Sequence, residues 1–138
     1  LLNGAQPLIG GVQVVPDGSI LGSVAEYDNN QGYGRVNLLN SLPLTGENKV
    51  QMITVNDKGI GNGVKQEHII DINTSNGCSE DLRVTLAWFD PAGSVGCTNC
   101  IMNDLDLYIE EVNGSDTFYP NGLTRRDRKN TVERIRVS

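Results

Sequence analysis

The chain has 138 residues and a mass of 15.0 kDa, enough for one domain that buries roughly two-thirds of its unfolded surface. Its composition of 38% hydrophobic and 20% charged residues, with 16 glycines and 5 prolines, excludes a disordered tail and indicates a turn-rich globular fold. No stretch reaches the roughly 18 consecutive apolar residues of a membrane span, so we expect no membrane partner. Residues 1–11 lack the basic start of a signal peptide, and we expect a segment of a longer polypeptide.

Charge is distributed unevenly along the sequence. Residues 125–138 carry six basic and two acidic side chains, a net charge of +4. Because the whole chain has a net charge of −6, residues 1–124 have a net charge of −10. An acidic body repels a phosphate backbone, which excludes nucleic acid as a partner. We expect the basic residues near the end to lie on solvated strand faces.

Tight turns divide the chain into short β-rich segments. Five Asn-Gly pairs, at Asn3, Asn62, Asn76, Asn113 and Asn121, supply the positive φ angles that such turns need. Strands are predicted over residues 12–15, 20–24, 50–55, 68–72, 82–89, 105–112 and 131–137. A short helix is predicted over residues 36–42, because apolar residues recur there at near-helical spacing until Pro43. The succession of short strands separated by tight turns is typical of an all-β sandwich or barrel.

A domain boundary is predicted at residues 44–49, where Pro43, Gly46 and polar residues separate a glycine-rich stretch from the regular strands. Residues 1–44 hold too few apolar residues to enclose a core, and we expect them to be the trailing part of another domain. Residues 45–138 form the β domain. Alternation within residues 82–88 and 104–110 predicts that Trp88 lies in its core, opposite Leu105, Leu107 and Ile109.

Catalytic machinery is not evident. His68 is the only histidine, it stands in a strand-like run, and no glycine-flanked serine accompanies it. We therefore expect a structural or surface histidine and no catalytic residue in this chain.

Three cysteines, Cys78, Cys97 and Cys100, leave one thiol unpaired within the chain. Cys97 and Cys100 have zinc-knuckle spacing, but a zinc site would also need both Cys78 and His68 as ligands. A disulfide is therefore favoured, either between Cys97 and Cys100 or from one of them to Cys78. Asn73 and Asn113 each begin an N-glycosylation tripeptide, which favours a secreted protein.

Calcium is the metal that the sequence favours. Asp104 and Asp106, next to Asn103, place two carboxylates on one strand face, and Asp90 ends the preceding strand. The alternative is a solvated strand face with a turn-forming asparagine.

Several sequence blocks, in order, resemble the subtilisin-like serine proteases. Residues 32–38 (GYGRVNL) resemble the close of the catalytic domain. Residues 82–91 (LRVTLAWFDP), 103–107 (NDLDL), 113–114 (NG), 119–122 (YPNG) and 127–133 (DRKNTVE) resemble the jelly-roll β-sandwich that follows it. The resemblance is greatest to alkaline and protozoan-type subtilases, and the P domain of kexin and furin is a more distant cousin.

This resemblance implies an all-β, antiparallel jelly-roll sandwich preceded by a short remnant of an α/β catalytic domain. The serine, histidine, aspartate and oxyanion-asparagine motifs have no matching positions here, and strands beyond Ser138 are expected. It implies a non-catalytic part of a secreted endopeptidase whose partners are the upstream catalytic domain and the peptide substrate of the whole enzyme. It also implies structural calcium at Asp104 and Asp106, with Asp90 and Asn103 as further ligands. The competing hypothesis is a free-standing, calcium-dependent module that binds carbohydrate or protein.

Overall fold

The computed structural model describes residues 1–6, 13–14, 20–21, 31–56, 59–72 and 81–137, with the backbone alone for 13–14 and 20–21. Six short strands and two 3-10 helices are found in these residues. The strands are β1 (Gln13–Val14), β2 (Ile20–Leu21), β3 (Leu82–Ala87), β4 (Ile109–Glu110), β5 (Thr117–Phe118) and β6 (Val132–Val137), and the 3-10 helices are Leu2–Gly4 and Pro120–Gly122.

The described strands pair into three antiparallel two-stranded sheets, β1 with β2, β3 with β6, and β4 with β5. The longest pair joins β3 to β6 over six residues, with Leu82 opposite Val137 and Ala87 opposite Val132. Valine, isoleucine and threonine suit these two strands because β-branched side chains pack well on a pleated surface. The described part is thus a β-rich antiparallel fold, and the jelly-roll topology remains a prediction.

A half-buried group of one carboxylate and two guanidinium groups lies at the start of the β3–β6 pair. Arg83 lies directly opposite Arg136, a like-charge arrangement that would destabilise two paired strands. The carboxylate of Asp81 resolves it, since its Oδ2 accepts a hydrogen bond from Arg136 Nε at 2.6 Å and lies 3.4 Å from Arg83 Nη2. Burial would raise the pKa of Asp81, but the two guanidinium groups outweigh it and hold that pKa below its ordinary value.

Several predicted elements are shorter in the structure, and two are absent from it. Residues 50–55 and 68–72 are not strands, although they are rich in β-branched residues. Ile53 is 79% exposed and Ile69 is 88% exposed, and within the described residues neither segment has a partner strand. Because a strand is defined by its partner, high β propensity alone does not make one. Of residues 105–112, only Ile109–Glu110 is strand.

The helix predicted over residues 36–42 is wrong. Residues 38–42 form a turn instead, in which the amides of Ser41 and Leu42 both donate to the carbonyl oxygen of Leu38 at 3.1 Å. The side chain of Asn37 caps this turn, since its Oδ1 accepts from the amide of Asn40 at 3.2 Å. A helix of about two turns has too few backbone bonds to hold itself together, and Pro43 prevents it from continuing.

The chain start covers one side of the β3–β6 pair. Asn3 Nδ2 donates to the carbonyl oxygen of Arg83 at 3.0 Å, and Thr85 Oγ1 donates to Asn3 Oδ1 at 2.9 Å. Arg83 and Thr85 are the polar residues in the alternation of residues 82–88, yet both are half-buried where Asn3 contacts them. Trp88 is also half-buried rather than fully enclosed, and its Nε1 donates to the carbonyl oxygen of Asn103 at 3.0 Å.

The apolar core of the described residues is small. Its buried members are Ala5, Tyr33 and Ile135, at 7%, 8% and 2% exposure. Ala5 and Tyr33 precede the predicted boundary at residues 44–49, and Ile135 follows it. The two sides of that boundary are in contact, since the Tyr33 hydroxyl lies within hydrogen-bond distance of the carbonyl oxygen of Val132, at 2.9 Å. In the described part of the chain, no helix has the length and apolar character that a membrane crossing requires.

Candidate functional site: the Asn121 network and the neighbouring acidic cluster

Asn121 lies at the centre of a group of polar side chains, buried except for half-buried Asn130, that we call the Asn121 network: Tyr33, Asn121, Asp127, Asn130 and Arg134. Asn121 is 6% exposed and has a left-handed backbone, with φ 55° and ψ 30°, in the turn that the sequence predicts from its Asn-Gly pair. Asparagine tolerates this conformation better than most residues because its short side chain hydrogen-bonds locally. The turn therefore points an amide group inward at little conformational cost.

Both ends of the Asn121 amide are used. Its Nδ2 donates to Asp127 Oδ2 at 2.7 Å and to the carbonyl oxygen of Val132 at 3.1 Å. Its Oδ1 accepts from the hydroxyl of Tyr33 at 2.8 Å and from the amide of Arg134 at 3.1 Å. A buried amide with four good partners is stabilising, whereas the loss of any partner would leave an unsatisfied polar group.

Asp127 anchors the network on the side of the β5–β6 connection. It is 3% exposed, and its carboxylate accepts from Asn121, from Asn130 Nδ2 at 2.6 Å and from the amide of Lys129 at 2.9 Å. Burial would raise the pKa of Asp127, but these hydrogen bonds outweigh it and hold the pKa below its ordinary value. Asp127 is thus a charged acceptor that holds residues 129 and 130, which lie just before β6, in place through hydrogen bonds.

Tyr33 and Arg134 join the network to the first residues of the chain. The carbonyl oxygen of Val132 lies 2.9 Å from the Tyr33 hydroxyl, so this oxygen and Asn121 Oδ1 share its single proton, and the Arg134 guanidinium lies over the Tyr33 ring at 4.8 Å from its centroid. Arg134 Nη1 donates to the carbonyl oxygens of Leu2 and Ala5, at 3.0 Å each. The expectation of a solvated basic face is wrong at Arg134, which is only 3% exposed because the chain start packs over it.

On the other face of β6, Glu133 is a buried member of an acidic cluster that also contains half-buried Asp106 and exposed Asp104. Glu133 has 0% exposure, and its Oε2 accepts from the amide of Leu107 at 2.6 Å. Burial, together with the negative charges of Asp127, Asp106 and Asp104, raises the pKa of Glu133 to about 7, although the Leu107 amide opposes this shift. Within the described residues, Glu133 Oε1 and Asp106 Oδ1 are buried oxygens without a hydrogen-bond partner.

The predicted calcium ligands are distributed between two places. Asp90 accepts from the amides of Met102 and Asn103 and from Asn103 Nδ2, at 2.7, 2.9 and 2.9 Å. These donors lower the pKa of Asp90, the Met102 amide most of all. Asp106 lies 3.2 Å from Arg126 Nη1, and Asp104 is exposed. In the described part of the chain, no three acidic, histidine or cysteine side chains are arranged to hold a metal ion.

The remaining predicted site residues have separate locations. Cys97 and Cys100 form a disulfide with a Cα–Cα distance of 5.3 Å, whereas Cys78 and Asn73 lie outside the described residues. Asn113 is exposed in the turn between β4 and β5. His68 is exposed.

The sequence pattern did not predict the roles of Tyr33, Asn121, Glu133 and Arg134. A signal was available only for Asn121, whose Asn-Gly pair predicts the left-handed turn. Nothing in the strand pattern of β6 marks Glu133 and Arg134 as buried, because alternation assigns residues to two faces without saying what covers each face. The Asn121 network joins separate segments of the chain without covalent bonds. Its charged and amide groups donate hydrogen bonds to backbone carbonyl oxygens of those segments.

Compared with known proteins, the chain matches no family model, no curated protein and no solved structure.

Proposed function

We propose that this chain is the non-catalytic C-terminal part of a secreted subtilisin-like serine endopeptidase, in which residues 45–138 belong to a jelly-roll β-sandwich. Its role in that enzyme is to brace the catalytic domain, whose last segment is residues 1–44, and to border the cleft that binds the peptide substrate. The ordered sequence blocks that resemble the family support this assignment. The activity itself belongs to the catalytic domain upstream.

The observation that carries the proposal is the attachment of the chain start to β6. Arg134 binds the carbonyl oxygens of Leu2 and Ala5, and Tyr33 binds Asn121 and Val132. These contacts cross the boundary that the sequence predicts at residues 44–49. They are buried or part-buried, and the two from Arg134 are charge-assisted. A β domain that binds the end of a catalytic domain in this way stabilises the folded enzyme, because the contact exists only when both parts are folded.

Calcium is part of the proposal as a structural ion. The unpartnered buried oxygens of Asp106 and Glu133 support a cation near the 103–107 block, since carboxylate oxygens are the ligands that calcium prefers. Asp104 and Asp106 would hold the ion, with Glu133 as a further candidate. Asp90 and Asn103 fit this role less well, because both oxygens of Asp90 already accept hydrogen bonds and Asn103 supplies two of the donors.

A calcium-dependent recognition module is the second candidate. The observation that favours it is an open groove of about 320 Å³ between β5 and β6, which Phe118, Tyr119, Leu123 and Arg136 line. Aromatic rings beside a charged side chain suit a sugar or a peptide, because they offer both an apolar face and hydrogen-bond donors. Saturable, calcium-dependent binding of the chain on a glycan array would favour this candidate over the first.

The first test of the protease proposal is the coding sequence upstream of Leu1, which should encode a serine nucleophile motif within a few dozen codons. A secretion signal directly before Leu1 would contradict the proposal. The second test uses the full-length protein, whose peptidase activity should be blocked by a serine-directed fluorophosphonate. In that protein, Arg134→Met should shorten the half-life of activity on heating while the initial kcat/KM is unchanged, and Arg128→Met, at an exposed arginine, should change neither.

A further inference from the structure

The Cys97–Cys100 disulfide lies in a surface loop that is closed independently of the disulfide. Asp90 accepts from the amides of Met102 and Asn103, which joins the two ends of residues 90–103. Trp88 Nε1 binds the carbonyl oxygen of Asn103 just below this junction. These contacts hold the base of the loop, so the disulfide is not required to keep residues 88 and 103 together.

The disulfide itself connects only the tip of this loop. Cys97 and Cys100 are three residues apart, so the ring they close is small and restricts the unfolded chain little. Around it, Val95 is 107% exposed and Met102 is 61% exposed, and Cys100 is exposed while Cys97 is half-buried. The loop packs tightly at Gly93, where a Cβ would lie 2.7 Å from the carbonyl oxygen of Cys100 and 3.1 Å from Cys97 Sγ.

We infer that the Cys97–Cys100 disulfide is a thiol-exchange site for dithiol reductants, which opens the loop tip while the rest of the chain stays folded. Exposed disulfides are the ones that thiols reach without unfolding, and those that are not needed for the fold are free to be reduced. This inference is independent of the proposed protease function, because it depends only on the loop contacts.

The reaction is a thiol–disulfide exchange between the dithiol and the Cys97–Cys100 disulfide. A thiolate of the dithiol attacks Sγ of Cys100, the more exposed cysteine, and forms a mixed disulfide while Cys97 leaves as a thiolate. The second thiol of the reductant, as its thiolate, then attacks the reductant's own sulfur in the mixed disulfide. Cys100 leaves as a thiolate, and the reductant is oxidised to a cyclic or intramolecular disulfide. The protein gains two electrons, and its two thiolates take up protons according to pH.

The test measures reduction of the chain by dithiothreitol in the Cys78→Ser background, so that every thiol comes from this pair. Samples are quenched with iodoacetamide and the labels are counted by mass spectrometry, with and without a denaturing concentration of urea. We expect the native rate to lie within about a hundredfold of the denatured rate, as for a disulfide that thiols reach directly. A native rate slower than this would overturn the inference, because reduction would then follow unfolding.

Two further measurements distinguish a disulfide that can be reduced in the folded chain from one that the fold requires. The near-ultraviolet circular dichroism of Trp88 should be unchanged on reduction, and loss of that signal would overturn the inference. In the same background, Cys97→Ser leaves Cys100 alone, and Cys100→Ser leaves Cys97 alone. We expect the thiol of Cys100 to react with a disulfide reagent several-fold faster than that of Cys97, and the reverse order would contradict the proposed point of attack.

Discussion

The guanidinium of Arg134 lies over the ring of Tyr33 at 4.8 Å from its centroid, although 100 positions separate the two residues in the sequence. Arg134 comes from β6, and Tyr33 comes from the segment that the sequence assigns to a preceding domain. The same arginine binds two backbone carbonyls of the chain start. This one side chain therefore links three segments of the polypeptide.

We expect Arg134→Met to lower the free energy of unfolding by about 2 kcal/mol, because two partly buried carbonyls lose a charged donor while the apolar stem is kept. Urea denaturation monitored by circular dichroism measures this change. Arg128→Met is the matched control, since Arg128 is exposed, and it should change the stability by less than about 0.5 kcal/mol. Equal stabilities of the two variants would show that the Arg134 contacts contribute nothing.

Asn121→Asp tests the centre of the network with almost no change in shape. The new carboxylate would face Asp127 at the present 2.7 Å contact and would lose the donor to Val132. We expect a loss of about 2–4 kcal/mol at neutral pH, typical of an uncompensated buried charge, with partial recovery in mild acid. Asn113→Asp, at an exposed Asn-Gly pair, is the matched control and should be neutral. A tolerated Asn121→Asp would mean that the amide bonds are not essential.

Glu133 predicts an unusual dependence of stability on pH. Its pKa is about 7 in the folded chain against an ordinary value of 4.5, so the folded chain binds this proton more tightly than the unfolded chain does. The free energy of unfolding should therefore fall as the pH rises from about 4.5 to about 7. Glu133→Gln, which keeps an acceptor for Leu107, should abolish this decline and add about 1–3 kcal/mol at pH values above that range.

The measurement for Glu133 is a series of urea titrations across that pH range, with Glu47→Gln as the control at an exposed carboxylate. Asp81 and Asp127 do not obscure it, because their pKa values are lowered. Their stabilising contributions are complete above an ordinary pKa of 3.8 and are lost only as the pH falls below it. An unchanged slope in Glu133→Gln would contradict the raised pKa of Glu133.

Calcium should raise the melting temperature of the chain by about 2–5 °C, as expected for a ligand that binds only the folded state. Asp104→Ala combined with Asp106→Ala should remove this increase, as measured by differential scanning calorimetry in calcium and in a chelator. Because Asp106 also pairs with Arg126, the control is Arg126→Ala, which breaks the pair and keeps the carboxylate. A full calcium response in the double variant would exclude both aspartates as ligands.

The sequence predicted the two longest strands well, because 82–89 and 131–137 combine β-branched residues with bounding turns. It could not predict which strand faces are buried, because charged residues such as Arg134 and Glu133 are expected at solvated positions. In the fold, the chain start packs over Arg134, and the 104–107 segment packs over Glu133. Residues 50–55 have the same propensity as β3 but no partner strand in the described part of the chain. Asn121 was recognised as a turn residue, yet its four partners come from segments that only the tertiary fold brings together.

The most direct test of the account is hydrogen exchange at the backbone amides of Gln6 and Arg35. The amide of Gln6 donates to the carbonyl oxygen of Arg35 at 2.9 Å, and the amide of Arg35 donates to the carbonyl oxygen of Gln6 at 2.8 Å. If β6 holds the chain start in place, both amides should be protected in the wild type and should exchange at least about tenfold faster in Arg134→Met. The amides of the β3–β6 pair should stay protected in both proteins. Equal exchange at Gln6 and Arg35 in the two proteins would contradict the claim that β6 braces the preceding segment.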